Sequence, residues 1–193
     1  MAFLLVGITL PTLTDRQWAL LPALFDAGLD YLYVRQPDTP ALRNQLLTTA
    51  LQPWQSQLLL PFDRPAGFFR RHWTEQARRQ APADQRAYST SVHSLADWPG
   101  LAGRVSLAFF SPLFPSLSKP GYGPTVPLPA LATHVQLLRQ ASVPLPRLIG
   151  LGGVQVSNIN QVRAAGFDGA AVLGTLWQAP DPVAAVRALR AIC

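Results

Sequence analysis

Apolar residues along this chain gather into short runs rich in leucine, valine and aromatic side chains, and these alternate with stretches that repeat at helical spacing. Strands covered on both faces read as continuous apolar runs, and their alternation with amphipathic helices predicts parallel strands joined by crossover helices. The runs place strands at residues 4–10, 31–35, 58–62, 67–70, 87–91, 105–110, 148–151 and 170–173. Eight such strands predict an α/β chain closed as a (β/α)8 barrel, a single domain over residues 1–193. The opening run from Ala2 to Leu10 lacks a basic lead-in and falls well short of the ~20 residues a bilayer crossing takes, so it reads as a buried first strand.

Helix signals support the alternation. Thr14 before DRQWALLPALFDA, Thr39 before Pro40 and Asp181 before Pro182 each put a capping oxygen or a first-turn proline ahead of an apolar stripe. Gly28 and Gly166 follow helical runs at the position where a left-handed backbone suits glycine. The joints Ala27-Gly28-Leu29-Asp30 and Ala165-Gly166-Phe167-Asp168 echo one another, each leading into a strand. The pattern breaks down between the third and fourth strands, where only Asp63, Arg64, Pro65 and Ala66 intervene. Parallel neighbours ordinarily need a crossover of about a dozen residues, so either a helix has been lost here or one strand is misplaced.

Composition narrows the picture further. The 193 residues are 49% apolar and 13% charged, as in a globular chain that can bury a large core. Cys193 is the only cysteine, which excludes an intrachain disulfide and makes the cytoplasm the expected location. A net charge of +6 suits phosphate-bearing partners. Part of it lies in Arg70, Arg71, Arg78 and Arg79, which form either a solvated face or a nucleic-acid patch. No interleaved aromatic stacking motif supports the second, so nucleic acid is not an expected partner.

In a (β/α)8 barrel ligands bind at the C-terminal ends of the strands, and phosphates commonly meet the loops after strands seven and eight. Gly152 and Gly153 follow the seventh strand, with Asn158 as a candidate helix cap, and Gly174 and Thr175 follow the eighth. Each glycine pair serves either a tight packing turn or a phosphate cradle. The sixth strand runs into SPLFPSLSKPGYG, in which Ser116, Ser118 and Lys119 combine two hydroxyls with a cation. The alternative is a proline-rich surface loop with a solvated lysine.

The order YLYVRQP, STSVHS, SPLFPSLSKPGYG, LIGLGGV and GAAVLGTLW resembles the thiamine-phosphate synthase and thiazole tautomerase family over nearly the whole chain. The resemblance implies a TIM barrel that joins hydroxymethylpyrimidine diphosphate to thiazole phosphate and releases diphosphate with Mg2+, or a sister protein that tautomerises a thiazole carboxylate phosphate. It implies that Arg35, Ser91 and Lys119 serve catalysis, that Ser116, Ser118 and Lys119 hold the diphosphate, and that Gly153 and Thr175, with Gly152 and Gly174, hold the thiazole phosphate. Bland readings stand beside these: Arg35 closing an ion pair, and Ser91 capping the helix that follows it. The implied partners are small phosphorylated heterocycles, with no membrane and with a homodimer left open.

Three departures from the family pattern bear on activity. Synthases carry a lysine two residues beyond the strand-two arginine, where this chain has Pro37. They hold Mg2+ on aspartates after strands three and four, where only Asp63 survives, and one carboxylate is thin provision for that ion. Tautomerases use a strand-six-loop histidine, where this chain has Pro112, leaving His93 as the nearest general base. His72 and His134 are weaker candidates, and the spacing of the three argues against a metal site. A barrel that binds thiazole phosphate without catalysis is the remaining alternative.

Overall fold

The apolar runs form strands β1 (Leu4–Ile8), β2 (Tyr31–Tyr33), β3 (Leu58–Leu60), β4 (Arg70–Trp73), β5 (Ser89–Val92), β6 (Leu107–Phe110), β7 (Arg147–Leu151) and β8 (Gly169–Val172). In the computed structural model, which describes residues 2–62, 69–115, 121, 123–140 and 143–193, they pair in parallel and in chain order. β8 returns to β1 through Leu4↔Gly169 to Gly7↔Val172, which closes the (β/α)8 barrel. Around it lie α1 (Asp15–Asp26), α2 (Pro40–Leu46), α3 (Glu75–Gln80), α4 (Leu128–Arg139), α5 (Ile159–Ala164), α6 (Gly174–Trp177) and α7 (Pro182–Arg190). No helix among the described residues is long and apolar enough to cross a membrane.

Side-chain alternation along each strand divides the core into two shells. Val6, Ile8, Leu59, Leu107, Phe109, Ile149 and Ala171 fill the barrel, while Leu5, Leu32, Leu58, Leu60, Ala108 and Leu148 face the helices. The expected helix starts are in place. Thr14 closes a capping box with Gln17, Thr39 accepts from the Leu42 N–H at 3.1 Å, and Asp181 accepts from Val183 and Ala184 at 2.9 and 3.0 Å.

The fourth strand is the main correction. Where 67–70 was expected, with 67 and 68 lying outside the described residues, it spans Arg70–Trp73, and Leu59↔Arg70 and Leu60↔Arg71 align it parallel to β3. Only nine residues, 61 to 69, separate the two strands, and the described ones form no helix, so this crossover is abnormally short. The strand was hidden because its sequence, RRHW, is charged: Arg70 turns inward, its guanidinium 3.9 Å from the Tyr88 ring centroid. A second thin crossover follows β5, where two 3-10 turns, Leu95–Asp97 and Pro99–Leu101, replace a helix. Trp98, between them, is fully buried and donates its indole N–H to the Pro146 carbonyl at 2.9 Å.

The two echoing joints are one device built twice. Asp30, entering β2, accepts from the Leu5 N–H of β1 at 2.7 Å, and Asp168, entering β8, accepts from the Leu148 N–H of β7 at 2.7 Å. Each carboxylate also pairs with an arginine on the helix preceding that neighbouring strand around the ring: Arg190 of α7 for Asp30, and Arg139 of α4 at 2.6 Å for Asp168. Arg190 binds the Gly28 carbonyl as well, and Arg139 binds that of Gly166 at 3.0 Å. Both glycines are left-handed, with φ of 112° and 86°. One joint thereby ties a helix, a turn and two strands together.

Asp168→Ala leaves the Leu148 N–H and the Arg139 guanidinium without their shared acceptor, and should cost about 2–3 kcal/mol, the usual cost of unpairing a charge-assisted hydrogen bond. The midpoint of a urea unfolding curve, with its slope, measures the loss.

Candidate active site

Gly152 and Gly153 leave the C-terminal end of β7, and Gly174 and Thr175 leave that of β8, the neighbouring strand. The two loops are tied directly, since the Thr175 hydroxyl donates to the Val154 carbonyl at 2.5 Å. Asn158 does not cap α5 with its side chain. Instead its amide donates to the Gly153 carbonyl at 2.9 Å and its Oδ1 accepts from the Gln155 N–H at 2.8 Å, which holds the glycine turn closed. The backbone N–H groups of Gly152, Gly153, Gly174 and Thr175 donate to no described residue. The four predicted residues therefore meet at one end of the barrel with donors unspent on the described residues, as anion recognition requires.

The loop after β6 is seated on this glycine turn. Leu113 and Phe114 donate their N–H groups to the carbonyls of Leu151 and Gly152, both at 3.0 Å. A methyl on Gly153 would stand 2.4 Å from the Pro115 carbonyl oxygen, and one on Gly150 would stand 2.3 Å from Leu113 Cδ1. These glycines are required by a neighbouring loop's backbone and by a buried leucine. Ser116, Ser118 and Lys119, which follow directly, lie outside the described residues, as does Asp63.

Ser91 lies on β5, and Arg35 follows β2. Arg35 is exposed, its backbone N–H anchored on Thr9 Oγ1 at 2.9 Å, and its guanidinium makes no ion pair or hydrogen bond with a described residue. The structural ion pair considered for it is not formed among them. Its charge reaches Tyr33, whose phenol burial pushes up while Arg35 pulls it down. Ser91 does not cap the following turn; Ser94 does, accepting from the Ala96 N–H at 3.2 Å.

Ser91 instead meets His72, 3.1 Å from its Nε2, and the other ring nitrogen lies 2.8 Å from Ser89 Oγ. The ring sits 4.1 Å from the Tyr33 centroid and edge-on to Phe109, and only 1% of the residue is exposed. Burial holds its pKa down to about 3, so it stays neutral. On the sequence His72 is a weaker candidate than His93, and the fourth strand expected at 67–70 stops short of it. The cap signature Thr74-Glu75, with Thr74 accepting from the Ala77 N–H, marks where that strand ends and was the available signal.

His93 is exposed, 2.9 Å from the Ser111 carbonyl and 3.8 Å from Glu75. With Ser111 and the exposed His134 it lines a cavity of about 310 Å3 between the β5 loop and α4. The arginine cluster is largely engaged: Arg78 meets Asp97 at 3.0 Å, Arg79 meets Glu75 at 2.6 Å, and Arg70 donates to the Ser56 carbonyl at 2.5 Å. That wiring also consumes Glu75, the carboxylate just past β4. No group of three or more His, Cys, Asp or Glu is placed to hold a metal among the described residues.

No family model matches the chain. A stretch of 80 residues is 40% identical to the thiamine-phosphate synthase of Roseiflexus sp. (strain RS-1), covering 42% of this chain and 31% of that protein. Another of 91 residues is 36% identical to the thiamine-phosphate synthase of Bordetella bronchiseptica, covering 47% of this chain and 42% of that protein. The matches thus span less than half the length of these relatives. The fold is similar to the crystal structure of thiamine phosphate pyrophosphorylase from Bacteroides thetaiotaomicron, with a TM-score of 0.73 at 23% identity over 98% of this chain and 97% of that one. The resemblance read from the motifs extends to both sequence and barrel.

His72 gives the protein a distinctive acid response. Its pKa is lower folded, about 3, than in an unfolded chain, near 6.5, so the unfolded state takes up the extra proton first. Its stabilising effect is fully present above about pH 6.5 and falls by about 1.4 kcal/mol per pH unit below that, towards the folded pKa. Between pH 6.5 and 4.5, above most carboxylate titration, urea unfolding should show this slope, and His72→Gln should flatten it.

Proposed function

We propose that this chain is a transferase of the thiamine-phosphate synthase type, joining hydroxymethylpyrimidine diphosphate to thiazole phosphate and releasing diphosphate. The observation that carries the reading is the convergence of two glycine loops whose N–H donors are unspent on the described residues, and on which the motif-bearing β6 loop is seated. In this reading Gly152, Gly153, Gly174 and the Thr175 backbone receive the thiazole phosphate. Ser116, Ser118 and Lys119 grip the diphosphate as it leaves. Arg35, exposed at the end of β2 with its guanidinium unspent on described residues, supplies a further cation facing the same mouth. Charge-assisted donors of this kind act on the oxygens where negative charge develops.

The tautomerase alternative has less support, because Pro112 packs against Gly152 and His93 is engaged with Ser111. Magnesium belongs to the proposal only through Asp63 and the substrate's own diphosphate. A cytoplasmic location, in keeping with the lone Cys193, is part of the same reading.

The test is a diphosphate-release assay with both heterocycles across a magnesium titration. Turnover that demands high magnesium and disappears in Asp63→Ala, with an unchanged circular dichroism spectrum, is the expected result. No release at any magnesium concentration, with thiazole phosphate still bound, would identify a non-catalytic binding barrel. Calorimetry adds a second measurement: Lys119→Ala should weaken binding of hydroxymethylpyrimidine diphosphate by about 1.5–3 kcal/mol, the range for a lost charge-assisted contact. Unchanged affinity would remove Lys119 from the site.

A further inference from the structure

We propose that His72 is a positioning residue, which fixes Ser91 as a hydrogen-bond donor aimed out of the barrel at an acceptor atom of the ligand. The argument is one of proton accounting among three side chains. Ser89 is completely buried, and among the described residues its hydroxyl has a single partner, Nδ1 of His72. A neutral imidazole has one N–H and one bare nitrogen.

If Nδ1 carried the proton, the Ser89 hydroxyl could only accept, and its own O–H would be buried without an acceptor. An unsatisfied donor of that kind costs about 1–3 kcal/mol. If Nδ1 is bare, Ser89 donates to it and every buried donor is satisfied. The proton then sits on Nε2, which donates to Ser91 Oγ. Ser91 accepts that bond inside the barrel, so its own O–H is left to point to the mouth, where the residue is half-exposed.

Two features keep the relay from reversing. Tyr33 against the face of the ring and Phe109 against its edge hold the imidazole in place. Burial excludes the imidazolium, which would need acceptors on both nitrogens. Ser89, with no exposure at all, thereby sets the direction of a hydroxyl two residues along β5.

The consequence for catalysis rests on the synthase-type reading, in which the acceptor is an oxygen of the diphosphate. The tautomer does not rest on it, so the two are tested separately. The imidazole 15N resonances of the intact protein should show one bare Nδ1 and a protonated Nε2, unchanged from pH 8 to pH 5. Ser89→Ala should give a mixture of tautomers. A dominant Nδ1–H form in the parent, a ring that titrates near neutrality, or a Ser89→Ala spectrum identical to the parent's would overturn the proposal, whatever reaction the protein performs.

With both heterocycles present, Ser89→Ala should lower kcat at least about tenfold with little change in KM, as when a catalytic imidazole is held in the wrong tautomer. His72→Gln, whose amide N–H reaches towards Ser91, should retain more turnover than His72→Asn. Parent protein without turnover would sink the synthase reading and leave the ring spectrum to decide the relay. Turnover indifferent to Ser89 would sink the relay's role and leave the synthase reading standing.

Discussion

Closing a ring of parallel strands depends on fixing the register of each strand against the next, and here two carboxylates do so at the end remote from the candidate site. Asp30 and Asp168 each accept the N–H of an adjoining strand and pair with an arginine from a helix. A hydrogen bond to a charged group is worth about 1.5–3 kcal/mol, twice a neutral one, and these two hold β1 to β2 and β7 to β8 on either side of the β8–β1 seam. With register fixed there, the loops at the opposite end can carry residues chosen for binding, the division of labour usual in this architecture.

Much of this was legible in the sequence. Apolar runs, capping oxygens and the two Ala-Gly joints are local signals, and they located seven strands to within a few residues. β4 escaped because its interior-facing residues are an arginine and a histidine, each satisfied by partners remote in sequence: the Tyr88 ring, and the Ser89 and Ser91 hydroxyls. A buried polar residue looks like a surface residue until its partners are known. Asn158 was misread for a related reason, since its side chain serves the preceding glycine turn rather than the helix it precedes.

The glycine motifs were legible as glycines but not as contacts. Sequence offered a choice between a packing turn and an anion cradle, and the geometry combines the two. Gly150 and Gly153 lack side chains because Leu113 and Pro115 occupy the space, while the N–H groups of Gly152 and Gly153 remain unspent on the described residues. Packing and binding fall on different atoms of the same residues. The polar interior shows a similar economy, with one neutral imidazole both filling the barrel below the mouth and bonding Ser91 at its rim.

The fit between Leu113 and the bare backbone of Gly150 bears on how this molecule can change over generations. A side chain added at position 150 finds the space already taken by a leucine from another loop, so a descendant can enlarge one only by trimming the other. The first residues of the β6 loop and the end of β7 are thereby bound to a common history, drifting together or not at all.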